Sequence, residues 1–309
     1  MIRYLSYNEI DKVKWDKCID QSGLNLIYSY SWFLDIVSPH WDAIVYNDYE
    51  AVMAVTWKKK FNFRYICMPY FTQQLGIISK TEITYPIWMA FITMLKQKYL
   101  LIQYKLNFSN IIINNEHIIR NNNYILNLNF NYENLYKNFS ESNRKNIRRA
   151  ERNKLVITDN ISFEEFTSFM ERELRTKVSI IKSNDYEILC HLLENIGKHL
   201  KIEKYVIREI MTKQILSAAI FIFFKNRIIF YSASSEEGKK LKAMFYLLNE
   251  FIKDKSETEY ILDFSGSNIP DIAYFFKGFG AINQPYFSIQ YEKYPFIFKL
   301  MKRIKNFFN

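Results

Sequence analysis

Ile215-Leu216-Ser217-Ala218-Ala219-Ile220-Phe221-Ile222-Phe223-Phe224-Lys225-Asn226-Arg227-Ile228-Ile229-Phe230-Tyr231-Ser232-Ala233-Ser234 is two apolar runs joined by two polar residues. Runs of this length, rich in β-branched and aromatic side chains, read as strands, and Lys225-Asn226 reads as the turn between them. With Lys204 to Glu209 before them they predict a three-stranded meander, the middle strand starting near Lys213. Leu241, Phe245, Leu248 and Ile252 then recur at helical spacing, which predicts one long helix from Lys239 to Lys255. Beyond it come a strand at Tyr260-Ile261-Leu262-Asp263-Phe264, a turn at Ser265-Gly266-Ser267, a short helix near Asp271 to Phe276 and a last strand from Tyr286 to Tyr291. Strands, a helix and a returning strand make an α/β unit.

The same order stands in the first half. Two short helical pieces between residues 8 and 37 are joined through Ser22-Gly23. Strands are expected at Ala43 to Tyr46, Ala51 to Trp57 and Phe63 to Met68, with Lys58-Lys59-Lys60 as a basic turn. A helix from about Glu82 to Lys96 and a strand from Leu101 to Asn107 complete the unit, followed by an Asn-rich stretch to Asn131. Two domains are therefore expected, 1–131 and 132–309. Between Tyr132 and residue 199 the pattern predicts a helix, a basic helix, a short strand and two further helices.

The composition is that of a folded protein: 309 residues, 49% hydrophobic and 24% charged. The longest apolar run, Ile215 to Phe224, falls short of the roughly 18 residues of a membrane span. The first residues lack the pattern of a signal peptide, so a cytoplasmic location is expected. Three scattered cysteines predict reduced thiols, not a disulfide framework or a thiolate zinc site. The four histidines form no ligand pair, so no metal is expected, and no nucleophile elbow, P-loop or dinucleotide fingerprint occurs. A net charge of +10 favours an anionic partner: nucleic acid, phosphorylated small molecule or membrane surface.

Five blocks follow one another in order: Tyr28-Ser29-Tyr30-Ser31-Trp32-Phe33-Leu34, Pro69-Tyr70-Phe71-Thr72-Gln73-Gln74-Leu75-Gly76, Ser142-Asn143-Arg144-Lys145-Asn146-Ile147-Arg148-Arg149-Ala150, Leu262-Asp263-Phe264-Ser265-Gly266-Ser267 and Phe275-Phe276-Lys277-Gly278-Phe279-Gly280-Ala281. Together they resemble the Fem-type, peptidoglycan-bridge branch of the GNAT acyltransferase superfamily. The resemblance implies two tandem GNAT-like domains with mixed sheets flanked by helices, the second carrying donor and catalytic site. It also implies N-acyl transfer from an acyl-CoA such as acetyl-CoA to an amine of a cell-envelope or polysaccharide precursor. The alternatives are tRNA-dependent aminoacyl transfer, with tRNA as donor, and a degenerate member that binds without catalysis; DNA is not an expected partner.

In such a fold the donor's pyrophosphate would lie at a helix N-terminus after the meander, here Ser234, Ser235, Gly238, Lys239, Lys240 and Lys242. Glu236 and Glu237 oppose that role, and the lysines are equally a solvated helix start. Arg144, Arg148 and Arg152 share one helical stripe opposite Ile147 and Ala150, which suits a diphosphate of a nucleotide- or lipid-linked acceptor or is a plain solvated face. The family pattern gives Phe276 and Lys277 a functional role. Physically Lys277 can stabilise an oxyanion or phosphate, or cap its helix before Gly278. Asp263 is the candidate base, or the anchor of its turn, and Tyr231 or Tyr274 the candidate acid. Residues 296–308 form an amphipathic helical pattern able to lie on an anionic membrane or to dock on its own domain.

Overall fold

A computed structural model describes residues 1–60, 63–110, 118–175 and 181–293. The chain divides into two compact units, the first made of 1–24, 28–120 and the C-terminal part from Tyr286, the second of 25–27 and 121–285.

In the first unit β1 (Ile2–Leu5), β2 (Asp42–Tyr46), β3 (Ala51–Val55) and β6 (Ile77–Ser79) form an antiparallel sheet in the order β1-β2-β3-β6. A second sheet has the order β4-β5-β7-β16-β8, from β4 (Trp57–Lys60), β5 (Phe63–Ile66), β7 (Leu101–Lys105), β16 (Tyr286–Glu292) and β8 (Ile118–Asn121). Helices α1 (Lys12–Gln21), α2 (Ser31–Val37) and α3 (Tyr85–Lys98) complete the unit. Trp15 and Trp41, both buried, meet at 4.6 Å between ring centroids, and the Trp15 indole N–H donates to the Ser29 carbonyl at 2.8 Å.

The second unit is one seven-stranded sheet, β10-β11-β12-β13-β14-β9-β15. Its strands are β9 (Tyr124–Asn127), β10 (Ile157–Thr158), β11 (Ile202–Arg208), β12 (Ile215–Phe224), β13 (Arg227–Ser234), β14 (Ile261–Asp263) and β15 (Ile282–Asn283). Its helices are α4 (Tyr132–Lys137), α5 (Glu141–Glu151), α6 (Phe163–Leu174), α7 (Ser183–His199), α8 (Glu236–Lys240), α9 (Ala243–Asp254) and α10 (Pro270–Lys277). The predicted meander is β11 to β13, fully antiparallel. Phe251 of α9 stacks on Phe221 of β12 with centroids 3.5 Å apart, and Leu247, Leu248 and Ile252 complete the apolar seam. Parallel pairing of β13 with β14, at Arg227↔Ile261, Ile228↔Leu262 and Ile229↔Asp263, is the step that a hairpin cannot make and that the α8–α9 crossover supplies.

Several expectations need correction. Lys58-Lys59-Lys60 is not a turn but the edge strand β4, paired with β5 from Trp57↔Ile66 to Lys60↔Phe63; lysine is tolerated there because an edge strand faces water. The single helix from Lys239 breaks into α8 and α9 at Lys242, which takes a left-handed conformation at φ 60°. The boundary expected at 131 falls at 120, since β9 already pairs with β14. The last strand, expected in the second domain, pairs with β7 in the first unit through five partners from Ser288↔Lys105 to Glu292↔Leu101.

Candidate active site

β13 and β14 part company after Ile229↔Asp263. β13 runs on to Ser234, whereas the other chain leaves the pairing: the Phe264 N–H donates to the Tyr124 carbonyl at 3.0 Å, and Ser265 and Gly266 take φ of 58° and 79°. A slot between two parallel strands opens there. Ser234, at the end of β13, shares a 2.7 Å hydrogen bond with Ser217 of β12, and the Ser265 Oγ is buried with no hydrogen-bond partner.

Tyr231 stands two residues past the last β13–β14 pair, on the same face as Ile229 and opposite the core residues Ile228 and Phe230. Burial, then the charge of Asp263, push its phenol above the ordinary tyrosine range, so it holds its proton at neutral pH.

Asp263 is fully buried, and both oxygens are committed. Oδ2 accepts from Arg227 Nη1 at 2.5 Å, and Oδ1 accepts the Ser265 N–H at 2.8 Å. Arg227 is itself buried and also donates to Gln284 Oε1 at 3.2 Å. A general base needs a lone pair open to substrate; Asp263 instead holds the left-handed turn at the slot's mouth and neutralises Arg227. Arg227 and Gln284 are the members of this cluster that sequence reasoning missed. The available signal was a cation opening an otherwise apolar strand.

The loop at Ser234 to Lys242 is occupied by its own groups. The Ser235 hydroxyl caps α8 by accepting the Gly238 N–H at 3.0 Å, and the Ser235 N–H donates to the Leu216 carbonyl at 2.9 Å. Lys239 pairs with Glu236, and Lys240 with Glu237 at 3.1 Å. Gly238 is needed because a Cβ there would lie 1.9 Å from the Leu216 carbonyl oxygen. That glycine brings helix and strand together; it does not open a phosphate cradle. As folded, the lysines of this loop are turned to their own glutamates and the Gly238 N–H is capped, so a CoA pyrophosphate lying here would displace these bonds.

On the sheet's other face the basic helix and the Phe-Lys pair come together. Gly278, next to Lys277, accepts the Ser140 N–H at 2.8 Å, and the Asn143 amide of α5 donates to the Phe275 carbonyl at 3.2 Å. Phe276 is buried, stacked on Phe264 at 4.5 Å beside the slot, and Lys277 is exposed with its ammonium 5.5 Å from the Tyr124 ring centroid. Arg144 donates to the Lys137 carbonyl at 3.1 Å, closing the C-terminus of α4, while Arg148 faces solvent. Tyr274 is 63% exposed, outside any desolvated pocket. Residues 296–308 lie outside the described residues. Among the described residues no helix is long and apolar enough to cross a membrane, and no cluster of His, Cys, Asp and Glu is arranged to hold a metal ion.

Two α/β units in tandem, with parallel strands parting in the second, are a fold that this chain shares with a tandem GNAT protein of known structure. Known structures agree: FemX matches with TM-score 0.57 and 11% identity over 92% of this chain and 96% of that one. A tandem GNAT protein from the clavulanic acid biosynthesis pathway matches with TM-score 0.57 and 10% identity over 96% and 99%. L-PGS from Bacillus licheniformis matches with TM-score 0.50 and 14% identity over 96% of each chain. No family model matches the sequence, and no curated protein does.

Proposed function

We propose that this chain is an acyltransferase that moves an acyl group from a thioester donor of the acyl-CoA type to an amine on an anionic cell-envelope or polysaccharide precursor in the cytoplasm. The observation that carries the reading is the slot between β13 and β14 with the protonated Tyr231 phenol beside it. The neutral acceptor amine attacks the thioester carbonyl; the C–N bond forms, the C–S bond breaks, Tyr231 gives its proton to the departing thiolate, and the resulting tyrosinate takes the proton that the nitrogen sheds on becoming an amide. Lys277, exposed at the end of α10, offers an ammonium to an acceptor phosphate, with Phe276 holding its helix by stacking on Phe264. Arg148 and the rest of its stripe meet the acceptor's anionic groups. Asp263 is assigned no proton transfer.

A second reading, aminoacyl-tRNA as donor, is favoured by one observation: the loop at Ser235 to Lys240 has its cations paired and its helix capped, which leaves no ready seat for a pyrophosphate. Thermal unfolding with acetyl-CoA, free CoA and bulk tRNA separates the two. A ligand that binds only the folded state raises the melting temperature. A rise with the CoA compounds supports the thioester reading, a rise with tRNA alone replaces it with the second, and no rise with any of them leaves a non-catalytic binding protein.

A further inference from the structure

The charges of the first unit are not shared evenly between its two sheets. Strands β1, β2, β3 and β6 hold one cation and one acid, Arg3 and Asp42. The β4-β5-β7-β16-β8 sheet holds Lys58, Lys59, Lys60, Arg64, Lys105 and Arg120 against one acid, Glu292. From Ala51 to Thr81 the sequence has no acid at all, and α3 adds Lys96 and Lys98 with none of its own.

The registers sort these side chains by face. Lys58 stands opposite Tyr65 and Lys60 opposite Phe63, so all four share one face. The alternate residue Ile66 pairs with Ile102, which puts Gln103 and its partner Gln290 on the face of Tyr65. That face is the open one: Lys58, Lys60, Gln103 and Gln290 are exposed and Phe63 is 52% exposed, whereas Ile66, Ile102, Tyr104 and Ile289 of the other face are buried. A third ring joins the group, since the Lys58 ammonium lies 5.2 Å from the Tyr70 ring centroid. Arg64 is turned away and serves the fold, 4.0 Å from the Trp57 ring centroid and 3.7 Å from the buried Asp42 carboxylate. Glu292 lies on the open face opposite Leu101, two strands away from Tyr65 and beside the exposed Lys293.

Cations alone attract any anion, and the rings make the choice narrower. Phe63, Tyr65 and Tyr70, interleaved with Lys58 and Lys60, form a stacking platform threaded with positive charge, which is the chemistry that holds unpaired bases and the phosphates between them. Gln103 and Gln290 add neutral donors and acceptors for base edges. We propose that the open face of the β4-β5-β7-β16-β8 sheet binds a single-stranded polynucleotide, RNA or DNA, with bases stacked on Phe63, Tyr65 and Tyr70 and phosphates on Lys58 and Lys60. Every group named belongs to the first unit and none to the acyl-transfer machinery, so failure of this proposal leaves the acyltransferase reading untouched.

Fluorescence anisotropy of the full chain with a labelled oligouridylate, the matching oligothymidylate, an abasic strand and a duplex of the same length tests it. Both single strands with bases are expected to bind, more weakly as salt rises, and the abasic strand about tenfold or more weaker at equal charge. F63A/Y65L is expected to bring oligouridylate down to the abasic level, and K58Q/K60Q to reduce the slope of log affinity against log salt by about 1.4. The lysines are exposed, so K58Q/K60Q carries the test if F63A/Y65L lowers the melting temperature. A preference between uridylate and thymidylate identifies the sugar and supports the platform. No binding at low salt, equal binding of the abasic strand, a preference for the duplex, or undiminished binding by either double variant overturns the proposal.

Discussion

At the scale of the residue, Asp263 shows what a sequence motif conveys and what it hides. An acid before Ser265-Gly266 reads equally as a base or as a turn anchor, because the local pattern says nothing about a cation arriving from another strand. Arg227 arrives through the parallel β13–β14 pairing, and its partner Gln284 lies 57 residues further on. Removing one member of such a pair leaves a buried charge without compensation. Asp263→Asn is accordingly expected to destabilise the protein by about 3–5 kcal/mol in denaturant unfolding. Changing Arg227 and Asp263 together to apolar residues of similar volume is expected to cost far less. Equal losses in the single and double variants would contradict the pairing.

At the scale of the element, most helices and strands were legible because each carries its own periodicity, and the departures occur where tertiary partners decide. Lys58 to Lys60 has the composition of a turn yet pairs as a strand, and the run from Lys239 lacks a glycine or proline to announce the break at Lys242. The family blocks around Arg144 and Lys277 could be placed near each other only by resemblance. In the structure the contact is explicit: a Cβ on Gly278 would lie 2.3 Å from the Asn143 Oδ1. Asn143 is 1% exposed and cannot swing aside without losing its bond to the Phe275 carbonyl. Gly278→Ala should cost about 2–3 kcal/mol. Asn143→Ala, by removing the obstructing amide, should recover part of that loss in the double variant, a coupling of about 1 kcal/mol or more. Strict additivity in the cycle would mean that α5 and the end of α10 do not touch as described.

At the scale of the whole molecule, pH and connectivity each give a handle. Burial pushes the phenols of Tyr132 and Tyr205 up to about 12 from an ordinary 10.0. A raised folded-state value means that the unfolded chain loses these protons first, so the stability they contribute is complete below pH 10 and drains away as pH rises to about 12. The urea midpoint should fall across that window, and less steeply in Y132F/Y205F. Connectivity gives the sharper test. A strand at Tyr286 to Tyr291 could be read from its residues, but not which sheet receives it, since the partner strand β7 lies some 180 positions earlier and local pattern carries no such information. The sheet order sets β16 between β7 and β8, with a further bond from the Leu106 N–H to the Phe287 carbonyl at 2.7 Å. The second unit's sheet is closed by β15 and does not use β16. A chain ending at Pro285 should therefore lose hydrogen-exchange protection in β5 and β7 while the amides of β12 and β13 keep theirs. Loss of protection in both units together would mean that the two fold as one cooperative body, and retention in both would remove β16 from the first unit's sheet.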